Sequence, residues 1–478
     1  MKNDNNENHA LNNPFMRPIT ALARGPKLKA ELEASLPKVP DALVRSLPPE
    51  ERLNLLSQLR LLHIPLNRDV ALWELIIDVL LDGYAARTPT TTRVQQELAA
   101  VQSFPTKFVY ADESDIEASG FAVIGMPTAG KTRSMKRLLR RIPQIVYHEV
   151  KENPLLPPLS ITWLRVECPA NKSLTALAAE IFGAIEKATK EPVPAALKKG
   201  NQSMLIQNVA TLCAHYKLGM LVIDEIQHVL GTNGKPDLAL LNFLVELSNR
   251  LNVPLVVVGT PLARKVIGGA MRQARRMLGP EWRNLSRGST SWAEFSSKLL
   301  AYQFTNAVAV TETVEPTLYD LSQGLPGLAV MLWRISQRYA ILMEMDSGEA
   351  VAVTPEIMTA VYDDHFESVK PMIAALRSGD PQKIALYQDL RMDTESLEEQ
   401  LANEAAEETE TLRMKLFKAR QSALAKGKRI IKTALDAQTQ ALSGAPLPPI
   451  EPSNPLLDAF DQAKEDGEDP GAAVAKSA

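Results

Sequence analysis

The chain has 478 residues, of which 45% are hydrophobic and 23% charged, with a formal net charge of −3. That length accommodates two or three domains with ordinary globular cores, and the slight acidity excludes a uniformly basic nucleic-acid binder, so any DNA surface must come from local clusters. Two cysteines, Cys168 and Cys213, without a CxxC pair exclude a zinc ribbon or a disulfide scaffold and fit a reducing cytosol. No apolar run approaches the ~20 residues of a membrane span, and the polar N-terminus has no apolar signal core.

Residues 1–24 read as a disordered lead-in. Residues 25–109 read as helical, either an interaction segment or a cap on the α/β core. The segment Arg52–Leu62 places Leu53, Leu56, Leu59 and Leu62 on one face, with Leu55 beside them. A second amphipathic helix is expected over Val70–Leu81, capped by Asn67 or Asp69 and stopped at Gly83. The loop GYAARTP comes next, then a further helix at Val94–Ala100.

The core is expected over residues 110–288. The apolar run Phe121–Ile124 reads as a buried strand that leads into Gly125-Met126-Pro127-Thr128-Ala129-Gly130-Lys131-Thr132-Arg133. This is G-x-x-x-x-G-K-[ST] between a strand and a helix, a loop whose backbone N–H groups cradle phosphates at a helix N-terminus. Lys131 would reach the β- and γ-phosphates of ATP, and the Thr132 hydroxyl would ligate Mg²⁺. The helix Lys131–Arg141 carries six bases and no acid.

Further strands are expected at Ile145–Val150, Ile161–Cys168, Met220–Asp224 and Pro254–Gly259, with helices at Leu174–Ala188, Met204–His215 and Asp237–Leu251. Strands alternating with helices specify an α/β fold with a parallel, doubly wound sheet. Met220–Glu225, MLVIDE, is a buried strand with carboxylates at the edge where ligands sit in such sheets. Asp224 would hold Mg²⁺, and Glu225 would orient and deprotonate the attacking water. Thr260, at the end of the next strand, is placed to sense the γ-phosphate. Arg264, Lys265, Arg272, Arg275, Arg276, Arg283 and Arg287 then face one acid, Glu281. Most of these are surface charges, but one could reach a neighbouring subunit's nucleotide and others a polymer's phosphates.

Residues 289–376 read as an all-α lid, with helices at Trp292–Tyr302, Val314–Gln323, Leu328–Met345 and Thr354–Phe366. Residues 377–478 read as a charged tail for partner docking. Within it, Asp393–Glu410 holds eight acids and no base, and Arg413–Lys432 eight bases and no acid; a Pro-rich tether and an acidic end begin at about Gly444.

The motifs GMPTAGKT, LGMLVIDEIQHV, LLNFLVELSN, VPLVVVGTPLA, ARRMLGPEW and LYDLSQGLPGLAVMLWRISQRYAI occur in that order. Their succession resembles the AAA+ transposition regulators of the TnsC/TniB family, over about residues 62–390. GYAARTP and SWAEFSSKLLAYQF are similar to its longer, TnsC-like branch. The resemblance implies a cytoplasmic bacterial ATPase that uses ATP and Mg²⁺. It implies assembly as rings or helical filaments on double-stranded DNA, where a target-selection protein is linked to the transposase. It assigns Thr260 as a first sensor and Arg275 or Arg276 as the arginine finger between subunits. It places the loop Pro169–Ser173 toward DNA, with Lys172 on a phosphate and Ser173 adding a contact; Lys198 and Lys199 are second candidates. One departure is that Leu328 stands where such lids often carry a basic second sensor, and Arg334 is the nearest base. The same core would also serve a helicase loader or replication initiator, although an initiator's winged helix is not visible, or a scaffold that binds ATP and scarcely hydrolyses it.

Overall fold

A computed structural model describes residues 13–85, 87, 120–148, 157–169, 173–229, 253–264 and 279–387. Its N-terminal helices are α1 (Arg17–Thr20), α2 (Gly25–Ala34), α3 (Ala42–Arg45), α4 (Pro49–Leu56) and α5 (Asn67–Ala85). The core contributes β1 (Phe121–Gly125), α6 (Lys131–Leu139), β2 (Ile145–Tyr147), β3 (Leu159–Ile161), β4 (Trp163–Glu167), α7 (Leu174–Thr189), α8 (Gln202–His215), β5 (Met220–Asp224), β6 (Leu255–Gly259) and β7 (Glu281–Trp282). The C-terminal helices are α9 (Thr290–Ala301), α10 (Thr311–Ser322), α11 (Pro326–Ser347), α12 (Pro355–His365), α13 (Lys370–Ser378) and α14 (Pro381–Leu386).

The main sheet is parallel in the order β4-β5-β6-β1-β7. Every residue of β1, β5 and β6 is buried, as a parallel sheet covered on both faces requires. Ala122, Ile124, Leu221, Ile223, Leu255 and Val257 join Leu177, Ile181, Phe182 and Val209 of α7 and α8 in one core. The alternate residues point to the opposite face, where α5 packs against β5 and α6 against β1 and β6. This is the α/β P-loop AAA+ architecture with helical segments before and after it. In register, Glu167 lies beside Asp224 and Ile124 beside Gly259, so the loops after β1, β5 and β6 open at one edge.

Several expectations change. Residues 13–24 are not a disordered lead-in where they are described: Phe15, Met16 and Ile19 are buried, and Phe15 stacks on Tyr84. The Arg52–Leu62 helix ends at Leu56 and continues as a 3₁₀ turn over Ser57–Leu61. The tighter turn keeps Leu56, Leu59 and Leu62 buried but leaves Leu53 and Leu55 partly exposed, while Arg52 goes inside. Helix α5 runs through Gly83 rather than stopping there. A Cβ on Gly83 would lie 2.5 Å from the Pro254 ring, so the glycine lets the helix approach the chain just before β6. Asp69 accepts the Leu66 N–H at 2.8 Å, holding the helix start as a side chain in the first turn does.

The strand expected at Ile145–Val150 does not join the parallel sheet. β2 pairs antiparallel with β3 as a separate ribbon, and the expected strand Ile161–Cys168 is divided between β3 and β4. Strand β7, inside the basic stretch, has no counterpart among the expected strands. The helices expected at Val94–Ala100 and Asp237–Leu251, and the charge blocks and tether beyond residue 387, lie outside the described residues.

The N-terminal helices are stitched to the core by hydrogen bonds. Tyr84 donates to Lys217 O, and Arg87 to Leu218 O at 2.6 Å and Gly219 O at 3.2 Å. The basic face of α6 turns toward this segment: Arg133 donates to Leu62 O and Arg60 O, Arg137 to Ser35, and Arg141 pairs with Glu31. Further on, α11 is the buried axis of the C-terminal helices, with Trp333 and Ile341 fully inside and α4 packed against it.

Candidate functional site

Strand β1 delivers the chain into a loop that closes through Gly130, at φ +94°, which starts α6. Only a residue without a Cβ adopts that conformation at no steric cost. Gly125 is required for a different reason: a Cβ there would lie 2.1 Å from Trp282 O of the neighbouring strand. Lys131 is buried, and its ammonium donates to Gly125 O and Met126 O, both at 2.8 Å. Burial pushes it down to about 8, opposed by the nearby Glu225 and Asp224 and reinforced by Arg68. A buried ammonium held against a tight loop that ends at a helix N-terminus is a site for an anion.

Asp224 ends β5 with no exposed surface. Its Oδ1 accepts from the Thr132 hydroxyl at 3.2 Å and from the Glu225 N–H at 3.0 Å. Its Oδ2 accepts from Arg165 of β4 at 2.7 and 3.2 Å. Glu225 sits at φ +55°, a left-handed backbone strained for a non-glycine residue, and its carboxylate accepts from the Gln227 amide. The same Gln227 accepts the Thr260 N–H at 3.1 Å, tying the end of β6 to the carboxylates. The hydroxyl oxygens of Thr260 and Thr128 are buried without a hydrogen-bond partner. Buried polar groups are normally satisfied; two orphaned hydroxyls, one in the loop that carries Lys131 and one at the end of β6, fit a phosphate chain as their missing partner. Thr132 and Asp224, 3.2 Å apart, are an oxygen pair of the kind that holds Mg²⁺ through one direct ligand and its waters.

The structure thus brings Gly125–Thr132, Asp224, Glu225 and Thr260 to one edge. Arg133 departs from the expectation that it lines the phosphate loop, because its guanidinium reaches the carbonyls of Leu62 and Arg60. Ser173 accepts the Ala176 N–H at 3.4 Å as the cap of α7. Lys198 pairs with Glu186 at 2.6 Å, so it is not a free cation, and Lys199 is exposed. Lys172, Arg275 and Arg276 lie outside the described residues. Leu328 is buried in α11, whose Gly327 N–H donates to Thr128 O at 3.0 Å, so the lid touches the loop by backbone rather than by a base at that position. Arg165 and Arg68 join the site although no motif marks them, and Gln227 joins it from within LGMLVIDEIQHV, where the sequence reading gives it no role. For Arg165 a signal existed: a charge inside the apolar strand WLRVE.

Residues 116–267 match the AAA domain family. No curated protein sequence matches the chain. Among solved structures, the chain is similar to the ORC1 protein of Aeropyrum pernix in complex with DNA, at 15% identity and a TM-score of 0.38, over 59% of this chain and 66% of that one. It is similar to a Walker-type ATPase of Pyrococcus abyssi at 12% identity and a TM-score of 0.35, over 60% and 75%. A third is the ORC2 protein of Aeropyrum pernix in ADPNP–ADP complexes, at 13% identity and a TM-score of 0.35, over 61% and 74%. The fold and the site together define a P-loop AAA domain. Among the described residues, no helix is long and apolar enough to cross a membrane.

Proposed function

We propose that the chain is an ATP-hydrolysing regulator of DNA transposition of the TnsC kind. It would oligomerise on double-stranded DNA, receive a target-selection protein and pass activation to the transposase. The observation that carries the ATPase reading is the convergence of Lys131, Thr132, Asp224 and Glu225 at one sheet edge, beside the orphaned hydroxyls of Thr128 and Thr260. The ordered motif set from GMPTAGKT to the GLPGLAVMLWRISQRYAI stretch supports the transposition reading. In this reading Mg²⁺ neutralises phosphate charge when bound, with Thr132 and Asp224 to hold it.

The chain's own residues then divide the work. Backbone N–H groups of the loop and the Lys131 ammonium bind the β- and γ-phosphates. Glu225, held at its strained φ and by Gln227, orients water and takes its proton. Thr260 reads the γ-phosphate and transmits its presence through Gln227 to the Glu225 carboxylate. Arg275 or Arg276 completes the neighbouring subunit's site, and residues beyond 387 dock the transposase.

The test is Glu225→Gln, which keeps shape and hydrogen bonding but removes the base. ATP binding by calorimetry stays near wild type, while hydrolysis falls about 100-fold or more. Electron microscopy with duplex DNA and ATP shows assemblies that persist in this variant and disperse in the wild type. Hydrolysis at the wild-type rate removes Glu225 from catalysis; absence of any assembly on DNA refutes the regulator.

A further inference from the structure

Arg68, in the first turn of α5, stands 61 residues before Ala129 of the phosphate loop and touches it. Its Nη2 donates to Ala129 O at 2.9 Å and its Nη1 to Arg283 O at 3.0 Å. Its guanidinium lies 4.6 Å from the centroid of the Trp282 ring, and the Trp282 indole N–H donates to the same Ala129 O at 2.8 Å. The Nε of Arg68 is buried without a partner. No carboxylate forms an ion pair with Arg68 among the described residues; neighbouring Asp69 is bound to His63 at 3.1 Å and to the Leu66 N–H. Burial pushes the guanidinium down to about 10, and Arg68 in turn helps to depress Lys131. Two cations, one buried and one half-buried, thus stand beside one loop with no carboxylate paired to either, although Glu225 and Asp224 lie near Lys131. Buried charges of one sign are costly without a partner.

The peptide joining Ala129 and Gly130 shows how Arg68 acts. In a trans peptide the carbonyl and the following N–H point in opposite directions. Arg68 and Trp282 hold the Ala129 carbonyl outward, so the Gly130 N–H points into the cradle. Donation to a carbonyl by a cation also polarises the peptide and strengthens its N–H as a donor. We propose that Arg68 is a positioning residue for the nucleotide: from outside the loop it fixes and polarises the Gly130 N–H and adds a second, half-buried positive charge toward the phosphates. The proposal rests on the nucleotide-binding reading and deepens it, because nucleotide affinity then depends on the docking of the N-terminal segment through α5. By linkage, nucleotide tightens that docking.

The experiment measures ATP affinity by calorimetry and Tm without nucleotide, on the full chain, for wild type, Arg68→Met and Arg68→Lys. Methionine keeps an unbranched stem over Trp282 and removes the charge. Its ATP Kd rises about tenfold, while its nucleotide-free Tm is unchanged or higher, since a half-buried charge with an unsatisfied Nε is gone. Lysine retains the charge and loses the fork, so its Kd rises only about threefold. A role confined to structure gives the opposite split: Tm falls in both variants and Kd holds. Unchanged affinity in Arg68→Met, a lower Tm or failure to fold, or equal loss in both variants overturns the proposal. Failure of the wild type itself to bind ATP refutes the nucleotide reading instead, so the two failures are distinguishable.

Discussion

The Lys131 ammonium is the residue on which the site turns. In the nucleotide-free fold its affinity for a proton is depressed from 10.5 to about 8, first by burial. Between those values the folded chain holds fewer protons than the unfolded one, so this group makes stability rise as pH rises through that window. A phosphate chain reverses the balance, because an anion in contact favours the charged form. ATP binding therefore takes up a proton at about pH 9 and takes up almost none at this group at about pH 6.5. Calorimetry in two buffers of different ionisation enthalpy reads this directly: the heats diverge at the higher pH and agree at the lower. Lys131→Ala loses ATP binding altogether, and tight binding by that variant would dismiss the assignment. Lys131, Thr132, Asp224 and Glu225 were legible because each motif is contiguous and its residue types are dictated by phosphate and metal chemistry. Arg68 and Arg165 act across the N-terminal segment or across strands, where no spacing rule connects them to their partners; Gln227 stands within the DEIQH motif, but its bond to Thr260 crosses to the next strand.

At the scale of elements, long amphipathic helices and buried strands were legible within a few residues: α7, α8, α9, α11 and α12 fall where periodicity puts them. What failed is what depends on neighbours. Gly83 reads as a stop signal, yet its missing side chain admits Pro254. Residues 145–147 are β-branched or aromatic, yet only the ribbon partner at 159–161 decides that they leave the main sheet. Arg52 breaks its helix's apolar face because its partner is remote. It is 1% exposed, and its guanidinium forms a fork with Glu344 of α11 at 2.6 and 3.1 Å, with further donation to Leu47 O and Phe304 O. Arg52→Met strands the Glu344 carboxylate and costs about 3–5 kcal/mol. Adding Glu344→Leu removes the stranded charge and recovers most of the loss. Denaturant midpoints of the two variants measure this, and a single variant as stable as wild type would show that the pair does not join α4 to α11.

For the whole molecule, the question is where a chain of net charge −3 finds a surface for DNA. Much of its described positive charge is already committed. Arg264 and Arg283 share Glu281, Arg287 pairs with Asp320 and lies over the Tyr319 ring, and the α6 arginines hold the N-terminal segment. In the proposed assembly on DNA, phosphate contacts are then few per subunit and summed over subunits, which would make affinity steep in protein concentration and dependent on ATP. Lys172, which follows β4 in sequence and immediately precedes Ser173, is the proposed contact. If it meets one phosphate in each subunit, Lys172→Ala lowers the slope of log affinity against log salt by about 0.9 for every subunit on the duplex. ATP binding is unaffected, and the loss is the same for unrelated sequences, because phosphate contacts carry no sequence information. Lys198→Ala, which removes a cation already paired with Glu186, changes the slope less. A salt titration of the three chains on one duplex decides the matter: an unchanged slope for Lys172→Ala excludes this loop from the DNA surface and directs the search to the remaining bases between Arg264 and Arg287.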